Sequence, residues 1–170
     1  MTKVLAATVV GLVALSTCAN AGMNVPRHYP PPPVAGELGL LELPSSFHFD
    51  DGYRMFMEGD YRQAAKAFER ALESSPGDYR AAYYLGMSHL RRSRYTQSRD
   101  AFRQALELGP DRLTASRIQV GLAYSYEAVR HTKRAHQHYH LACQLNKAND
   151  YAQIGSARTE HRHAKKVKKT

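Results

Sequence analysis

The sequence is poor in cysteine and contains none of the compact motifs that mark common enzyme families. Only Cys18 and Cys143 are cysteines among the 170 residues, so a small fold held by several disulfides is excluded. The chain has no glycine-rich phosphate loop, no His-Glu-x-x-His zinc motif and no Gly-x-Ser-x-Gly nucleophile motif. We therefore expect a protein that is not an enzyme and that needs no cofactor.

Apolar runs are short as well. Residues 4–15 form an uncharged, mainly apolar run of twelve, whereas a helix needs about 20 such residues to cross a bilayer comfortably. Lys3 precedes the run, and small residues after it lead to Ala19-Asn20-Ala21. A positive start, a short apolar centre and an A-x-A site are the pattern of a cleaved export signal. We predict that residues 1–21 are a signal peptide.

Cys18 leaves two forms of the mature protein open. Leu15-Ser16-Thr17-Cys18 resembles the lipobox of bacterial lipoproteins, although that family prefers Gly, Ala or Ser where this chain has Thr17. The resemblance implies cleavage before Cys18, lipidation of Cys18 and an outer-membrane lipoprotein facing the periplasm. The alternative is cleavage after Ala21, which gives a soluble periplasmic protein.

Residues 22–46 are rich in proline. Pro26, the four prolines at 30–33 and Pro44 remove backbone donors and fix φ, so this stretch forms neither a helix nor a central strand. Its core should adopt polyproline II, which makes a semi-rigid spacer. We interpret the segment as a tether, with a docking motif for a proline-binding partner as the alternative.

Charge is distributed unevenly along the chain. Residues 22–78 contain 5 basic and 9 acidic residues, a net charge of −4. Residues 79–170 contain 18 basic and 6 acidic residues, a net charge of +12. This polarity favours acidic partners for the second half of the chain, or contact with an acidic half.

An internal repeat begins near residue 49. One pattern, a small residue, an aromatic four places later and an alanine three places after that, occurs three times: Ala64, Phe68, Ala71; Ser98, Phe102, Ala105; Ala135, Tyr139, Ala142. The first two copies are 34 residues apart and the second and third are 37 apart. A glycine lies upstream of each copy, at Gly52, Gly86 and Gly121. Repeats of this length indicate a stack of similar structural units.

The middle copy resembles the tetratricopeptide repeat at its signature positions, with His89 in a place where the family has an aromatic or aliphatic residue: Leu85, Gly86, His89, Tyr95, Ser98, Phe102, Ala105 and Pro110. The resemblance implies an all-α, right-handed solenoid of about three helical hairpins, at about 45–78, 79–112 and 113–147. We expect a capping helix at 148–163, a basic tail at 164–170 and an aromatic ring between neighbouring hairpins. We also expect Asp50 to cap the first helix, and two extra residues in the inter-helix turn of the third copy.

In tetratricopeptide proteins the first helix of each hairpin lines a concave groove that binds a peptide. Carried onto this sequence, the groove positions are Phe49, Tyr53, Phe56, Arg80, Tyr83, Met87, Arg91, Ile118, Leu122 and Tyr126. Aromatic and arginine side chains dominate protein interfaces. The alternative is that these residues pack the core, and we expect about half of them to be exposed.

Three further residues share one helical stripe. His136 and His140 are four apart and Cys143 follows three later, a workable spacing for a transition metal. The alternative is solvated histidines beside a buried cysteine that acts as a small hydrophobe. We expect no metal, and keep these residues as weak candidates.

The end of the chain is strongly basic. Between residues 158 and 170 six Lys and Arg residues face one acidic residue, Glu160. Such a run is typical of a solvated tail, and it could also contact anionic lipid, cell-wall polymers or an acidic protein. Nucleic acid is not expected, because the tail has no aromatic residue to stack on bases.

These features together predict a non-catalytic scaffold or assembly factor of the bacterial cell envelope that binds a protein or peptide with acidic character. Its layout resembles that of small repeat lipoproteins in pilus-biogenesis systems. The alternative is a periplasmic metal-binding or anionic-surface-binding protein that uses the histidines and the basic tail.

Overall fold

The computed structural model describes the backbone of residues 46–167 and the side chains of residues 46–160. In this part of the chain there are seven helices and no strand: α1 (Phe47–Glu58), α2 (Tyr61–Ser74), α3 (Tyr79–Arg91), α4 (Tyr95–Glu107), α5 (Arg112–Ala128), α6 (Thr132–Leu145) and α7 (Asp150–Val167). The first six pair as three hairpins, and α7 packs on α6. The predicted all-α fold of three hairpins and a C-terminal helix is confirmed.

Several predictions concern residues outside this range. The signal peptide, the lipidation of Cys18 and the proline-rich linker as far as residue 45 lie outside the described residues, as do residues 168–170 of the basic tail.

Polar side chains fix the starts of four helices. Asp60, Asp78 and Asp111 each accept a hydrogen bond from a backbone N–H in the first turn of α2, α3 and α5. Ser46 does the same for α1, where its Oγ accepts from the backbone N–H of Phe49 at 3.2 Å. The expected cap at Asp50 is therefore wrong. Asp50 lies inside the first turn of α1. Ser46 lies one residue before the helix, and its side chain accepts a hydrogen bond from a backbone N–H of that turn that has no partner within the helix.

The two extra residues of the third repeat also lie elsewhere than expected. The turn between α5 and α6 has three residues, 129–131, as does the turn between α3 and α4, residues 92–94. The additional length is in α5 itself, in which seven residues follow Gly121, whereas five residues follow Gly86 in α3. Two residues continue the helix more easily than they lengthen a turn, because each adds a backbone hydrogen bond.

Close contacts between aromatic rings and glycines join the helices. Phe68, Phe102 and Tyr139 have no exposed surface. A Cβ on Gly86 would lie 2.6 Å from the Phe102 ring, and one on Gly121 would lie 2.5 Å from it. Phe102 therefore fills the space between its own hairpin and the next, as the repeat pattern predicts.

The same contact recurs at both ends of the stack. A Cβ on Gly52 would lie 2.9 Å from the Phe68 ring, and one on Gly155 would lie 2.3 Å from the Tyr139 ring. Gly155 is 34 residues after Gly121. In spacing and packing, α7 is thus equivalent to the first helix of a fourth hairpin.

A polar network attaches α7 to the third hairpin. The Glu127 carboxylate of α5 accepts hydrogen bonds from Arg158 Nε (2.9 Å), Arg158 Nη2 (2.6 Å) and Tyr139 Oη (2.9 Å). Burial first, and the negative charge of Glu127 second, hold the pKa of Tyr139 well above its usual range. At the C-terminal end of α6, Arg112 donates hydrogen bonds to the carbonyls of Gln144 and Leu145, which have no partner within the helix.

The helices that come first in each hairpin lie on the inside of the stack. Helices α1, α3, α5 and α7 contact one another in sequence, whereas successive second helices make no comparable contact in the described chain. The side lined by α1, α3, α5 and α7 is therefore the inner face, and α2, α4 and α6 form the outer face.

Replacing Phe102 by Ala should lower the free energy of unfolding by about 3–5 kcal/mol, because it removes a fully buried ring and leaves a cavity between two hairpins. Chemical denaturation followed by circular dichroism measures the loss. Leu141→Ala is the control, since Leu141 is 42% exposed and its truncation should cost less than about 1 kcal/mol. Equal stability of Phe102→Ala and the wild type would contradict the packing described here.

Candidate functional site

The structure places most of the predicted groove residues in the core. Eight of the ten are less than 9% exposed: Phe49, Phe56, Arg80, Tyr83, Met87, Ile118, Leu122 and Tyr126. Tyr53 is half-buried, and Arg91 is exposed. The expectation that about half of the set is exposed is therefore wrong. Whether any member contacts a partner remains a prediction.

Aromatic side chains are the reason for this burial. The Tyr84 ring projects from α3 and packs against α1 and α2. It contacts five aromatic rings at centroid distances of 5.2–6.0 Å, those of Phe49, Tyr53, Phe56, Phe68 and Tyr83. Burial above all, with Tyr83 and Tyr53 beside it, raises the pKa of Tyr84 far above its usual value. Large rings on three adjacent helices bury one another.

Arg80 is buried together with its counter-ion. Its Nε and Nη2 donate to the two carboxylate oxygens of Asp78 at 2.9 and 2.8 Å, and its guanidinium lies 4.9 Å from the centre of the Phe49 ring. Asp78 also caps α3. A buried charge of this kind must keep its partner, so Arg80 has a structural role in the first two hairpins.

Tyr53 and Arg91 are the predicted groove residues that are not buried. Tyr53 packs edge-on against Tyr84 at 5.2 Å. Arg91, at the end of α3, has its guanidinium 5.7 Å from the centre of the Tyr61 ring at the start of α2. Arg91 therefore lies at the end of α3 beside the start of α2.

Tyr126 lies elsewhere than the groove prediction puts it. Its hydroxyl accepts a hydrogen bond from Arg103 Nη2 of α4 at 2.9 Å, and its ring stacks on His138 of α6 at 5.2 Å and 7°. Tyr126 therefore faces the second helices of the second and third hairpins.

The weak metal candidates do not come together as a site. The rings of His136 and His140 are 6.5 Å apart, and His136 Nδ1 is 3.2 Å from Thr159 Oγ1 in α7. Cys143 is 3% exposed and packs in the core of the third hairpin. Among the described residues, no group of three or more His, Cys, Asp or Glu side chains is arranged to hold a metal ion.

Sequence reasoning missed a group of cations around Tyr126. The guanidinium of Arg99 lies 5.0 Å from the centre of the Tyr126 ring and that of Arg134 lies 5.6 Å from it. With Arg103 and His138 these residues come from α4 and α6. We call Arg99, Arg103, Tyr126, Arg134 and His138 the Tyr126 cluster. The sequence signal that could have found it is the lack of acidic residues in 91–99 and 129–138.

With this geometry established, the class of the domain is clear. Residues 58–112 match the family model of the tetratricopeptide repeat, and the described helices have the tetratricopeptide-repeat fold. The search of curated proteins found no match to the sequence. None of the described helices has the length and apolar character needed to cross a membrane.

Three solved structures illustrate the likeness. The second repeat domain of human RPAP3 in complex with an HSP70 peptide has 18% identity and a TM-score of 0.61, and the match covers 66% of this chain and 92% of that one. The first repeat domain of Spaghetti (RPAP3) bound to an HSP90 peptide has 14% identity and a TM-score of 0.64, covering 75% and 94%. The Yersinia enterocolitica type III secretion chaperone SycD with a peptide of the translocator YopD has 18% identity and a TM-score of 0.59, covering 72% and 92%. At these identities the likeness concerns the fold.

The domain should lose stability in mild acid because of two histidines. Burial first and nearby arginines second lower the pKa of His89, beside Arg92 and Arg94, and of His138, beside Arg103 and Arg134. The unfolded chain therefore binds more protons than the folded one as the pH falls below about 6.5, so the free energy of unfolding falls with it.

Thermal melts between about pH 7.5 and 5 measure this effect, with His138→Gln as the variant. The variant should lose part of the pH dependence, whereas His140→Gln, which replaces an exposed histidine, should retain all of it. A wild-type melting temperature that rises as the pH falls over this interval would contradict the prediction.

Proposed function

We propose that this protein is a non-catalytic scaffold that binds a peptide segment of another protein on its repeat domain. The observation that carries the proposal is the continuous inner face, which exists because α1, α3, α5 and α7 contact one another along the stack. Tyr53 of α1 and Arg91 of α3 belong to the helices that line this face, and both have exposed surface, so they supply an aromatic ring and a guanidinium. This is the chemistry that anchors peptides at protein interfaces.

The fold neighbours support a peptide as the ligand. The human RPAP3 domain is in complex with the HSP70 peptide SGPTIEEVD, and the Spaghetti domain is bound to the HSP90 peptide SRMEEVD. Both peptides carry several acidic residues. In this chain, residues 79–160 contain thirteen basic and six acidic residues, so its second and third hairpins would attract a peptide of the same character.

The proposed location is the bacterial cell envelope. The support is the N-terminal export pattern around residues 4–21 and the lipobox-like sequence that ends at Cys18. The proline-rich residues 22–46 would then act as the tether between the membrane and the repeat domain. Assembly of a larger envelope structure, as in pilus biogenesis, is a role that fits this layout.

Site-specific photo-crosslinking tests the binding face. A photoreactive amino acid at position 53 or 91 should give discrete adducts with a partner in living cells, and Arg91→Glu should reduce the yield at position 53 several-fold. Position 70 on the exposed side of α2 is the matched control, and Arg70→Glu makes the same change of charge away from the inner face. Adducts of equal yield at positions 53, 70 and 91 would contradict the proposed face.

Metabolic labelling with a palmitate analogue tests the location. The wild-type protein should be processed, recovered with the envelope and labelled, and Cys18→Ala should remove the label. A processed but unlabelled wild-type protein in the periplasm would reject lipidation and keep export. An unprocessed protein in the cytoplasm would reject both.

A further inference from the structure

The turns of the second and third hairpins carry a concentration of positive charge, of which the proposed inner face uses only Arg91. Residues 91–99 contain four arginines, and residues 129–138 contain two arginines, one lysine and three histidines. Neither stretch has an acidic residue. Both turns join a first helix to a second helix, so they lie at the same edge of the stack. We call this edge, residues 91–99 and 129–138, the basic edge.

The Tyr126 cluster is the centre of the basic edge. Guanidinium groups from α4 and α6 approach one ring, with Arg99 at 5.0 Å and Arg134 at 5.6 Å from its centre, and Arg103 donates to its hydroxyl at 2.9 Å. The ring holds these cations by cation–π attraction and by the hydrogen bond. It does not neutralise them.

Carboxylates are scarce around the cluster. Asp100 pairs with Arg103 at 2.9 Å, but both side chains are more than half exposed, so the pair screens little charge. Glu127, the acidic residue nearest to Tyr126 in sequence, binds Arg158 of α7. Arg99 donates to Thr96 through Nη2, while its Nη1 is buried and has no hydrogen-bond partner in the described part of the chain.

Two histidines, His138 of the edge and His89 two residues before the edge in sequence, lie beside arginines. His138 is stacked on Tyr126, and its Nδ1 is 2.7 Å from Gln119 Oε1, which is an uncharged partner. Burial first, and Arg103 and Arg134 second, lower the pKa of His138. His89, below the α3–α4 turn, has its Nδ1 buried without a hydrogen-bond partner in the described residues, and Arg92 and Arg94 lie beside it. An anion placed here would offset the repulsion between these arginines and the protonated form of either histidine.

We infer that the basic edge binds an acidic segment of the partner protein, with carboxylates of that segment at Arg99 and Arg134. The inference rests on the proposed function and names a second contact surface for the same partner. An extended peptide fits better than a single small anion, because the cations come from two turns and two second helices. Arg91 is the last residue of α3, which lines the inner face, and the first residue of this edge, so one peptide can cross from the first surface to the second.

Binding of a fluorescent glutamate-rich peptide, measured by anisotropy, tests the inference. The wild-type domain should bind it with an affinity that falls as salt is added. Arg99→Gln with Arg134→Gln should weaken binding by about tenfold, as expected for the loss of roughly 1.4 kcal/mol. The control is Lys66→Gln with Arg70→Gln, two exposed positions on α2 that change the net charge equally and should leave binding within about twofold of wild type.

Folding is controlled by circular dichroism and thermal melts. If the double variant does not fold, Lys133→Gln with Arg134→Gln replaces it, since both side chains are exposed. A second readout is the pKa of His138 by NMR. It should rise when the peptide binds the wild-type domain and should stay unchanged in the control condition, a peptide with glutamine in place of glutamate.

Three outcomes would overturn the inference. They are equal loss of binding in the cluster variant and the control variant, peptide binding with no change in the His138 pKa, or binding of polyphosphate or anionic lipid vesicles but not of the peptide. The proposed function has a separate criterion. If photo-crosslinks at position 53 persist in the folded cluster variant with unchanged yield, the partner binds through the inner face and the basic edge takes no part.

Discussion

Aromatic rings that lie directly on the backbone of a glycine pack the two helices of the first and of the second hairpin together, and they join the second hairpin to the third and the third to α7. A Cβ at Gly86, Gly121 or Gly155 would lie 2.3–2.6 Å from the nearest ring atom, a distance at which one of the two groups must shift. The stack exists in this form because four glycines, 34 or 35 residues apart, leave room for three rings. Protein interiors are packed closely enough that such contacts set the spacing and angle of neighbouring helices. The inner face and the basic edge both follow from that arrangement.

The same arrangement separates the two kinds of charge. The first hairpin, residues 46–78, contains four basic and seven acidic residues, and the following residues 79–160 contain thirteen basic and six acidic. Because every hairpin turns at the same edge, the arginine-rich turns of the second and third hairpins come together, although they are about 37 residues apart in sequence. Long-range attraction of an acidic partner depends on such a patch more than on the total charge of the chain.

The C-terminal helix shows how a short stack of repeats can end. Helix α7 uses the glycine contact of a further repeat through Gly155, and the Arg158–Glu127–Tyr139 network then fixes it to the third hairpin. Both charged side chains of that network are partly exposed, at 23% and 13%. Partial exposure lowers the cost of removing the charges from water, so the pair can add stability as well as orientation.

The sequence by itself determined the helices, the repeat and the ring that separates neighbouring hairpins, because these depend on local periodicity and on residue size at fixed spacing. Only the tertiary structure decided which side chains reach solvent. Phe49, Tyr83 and Met87 occupy positions that line a groove in related repeats, yet here they are covered, since large rings on α1, α2 and α3 pack against one another. Tyr126 packs against α4 and α6, and the cations around it come from helices distant in sequence. Burial and charge clustering depend on contacts between helices, which no single helical pattern contains.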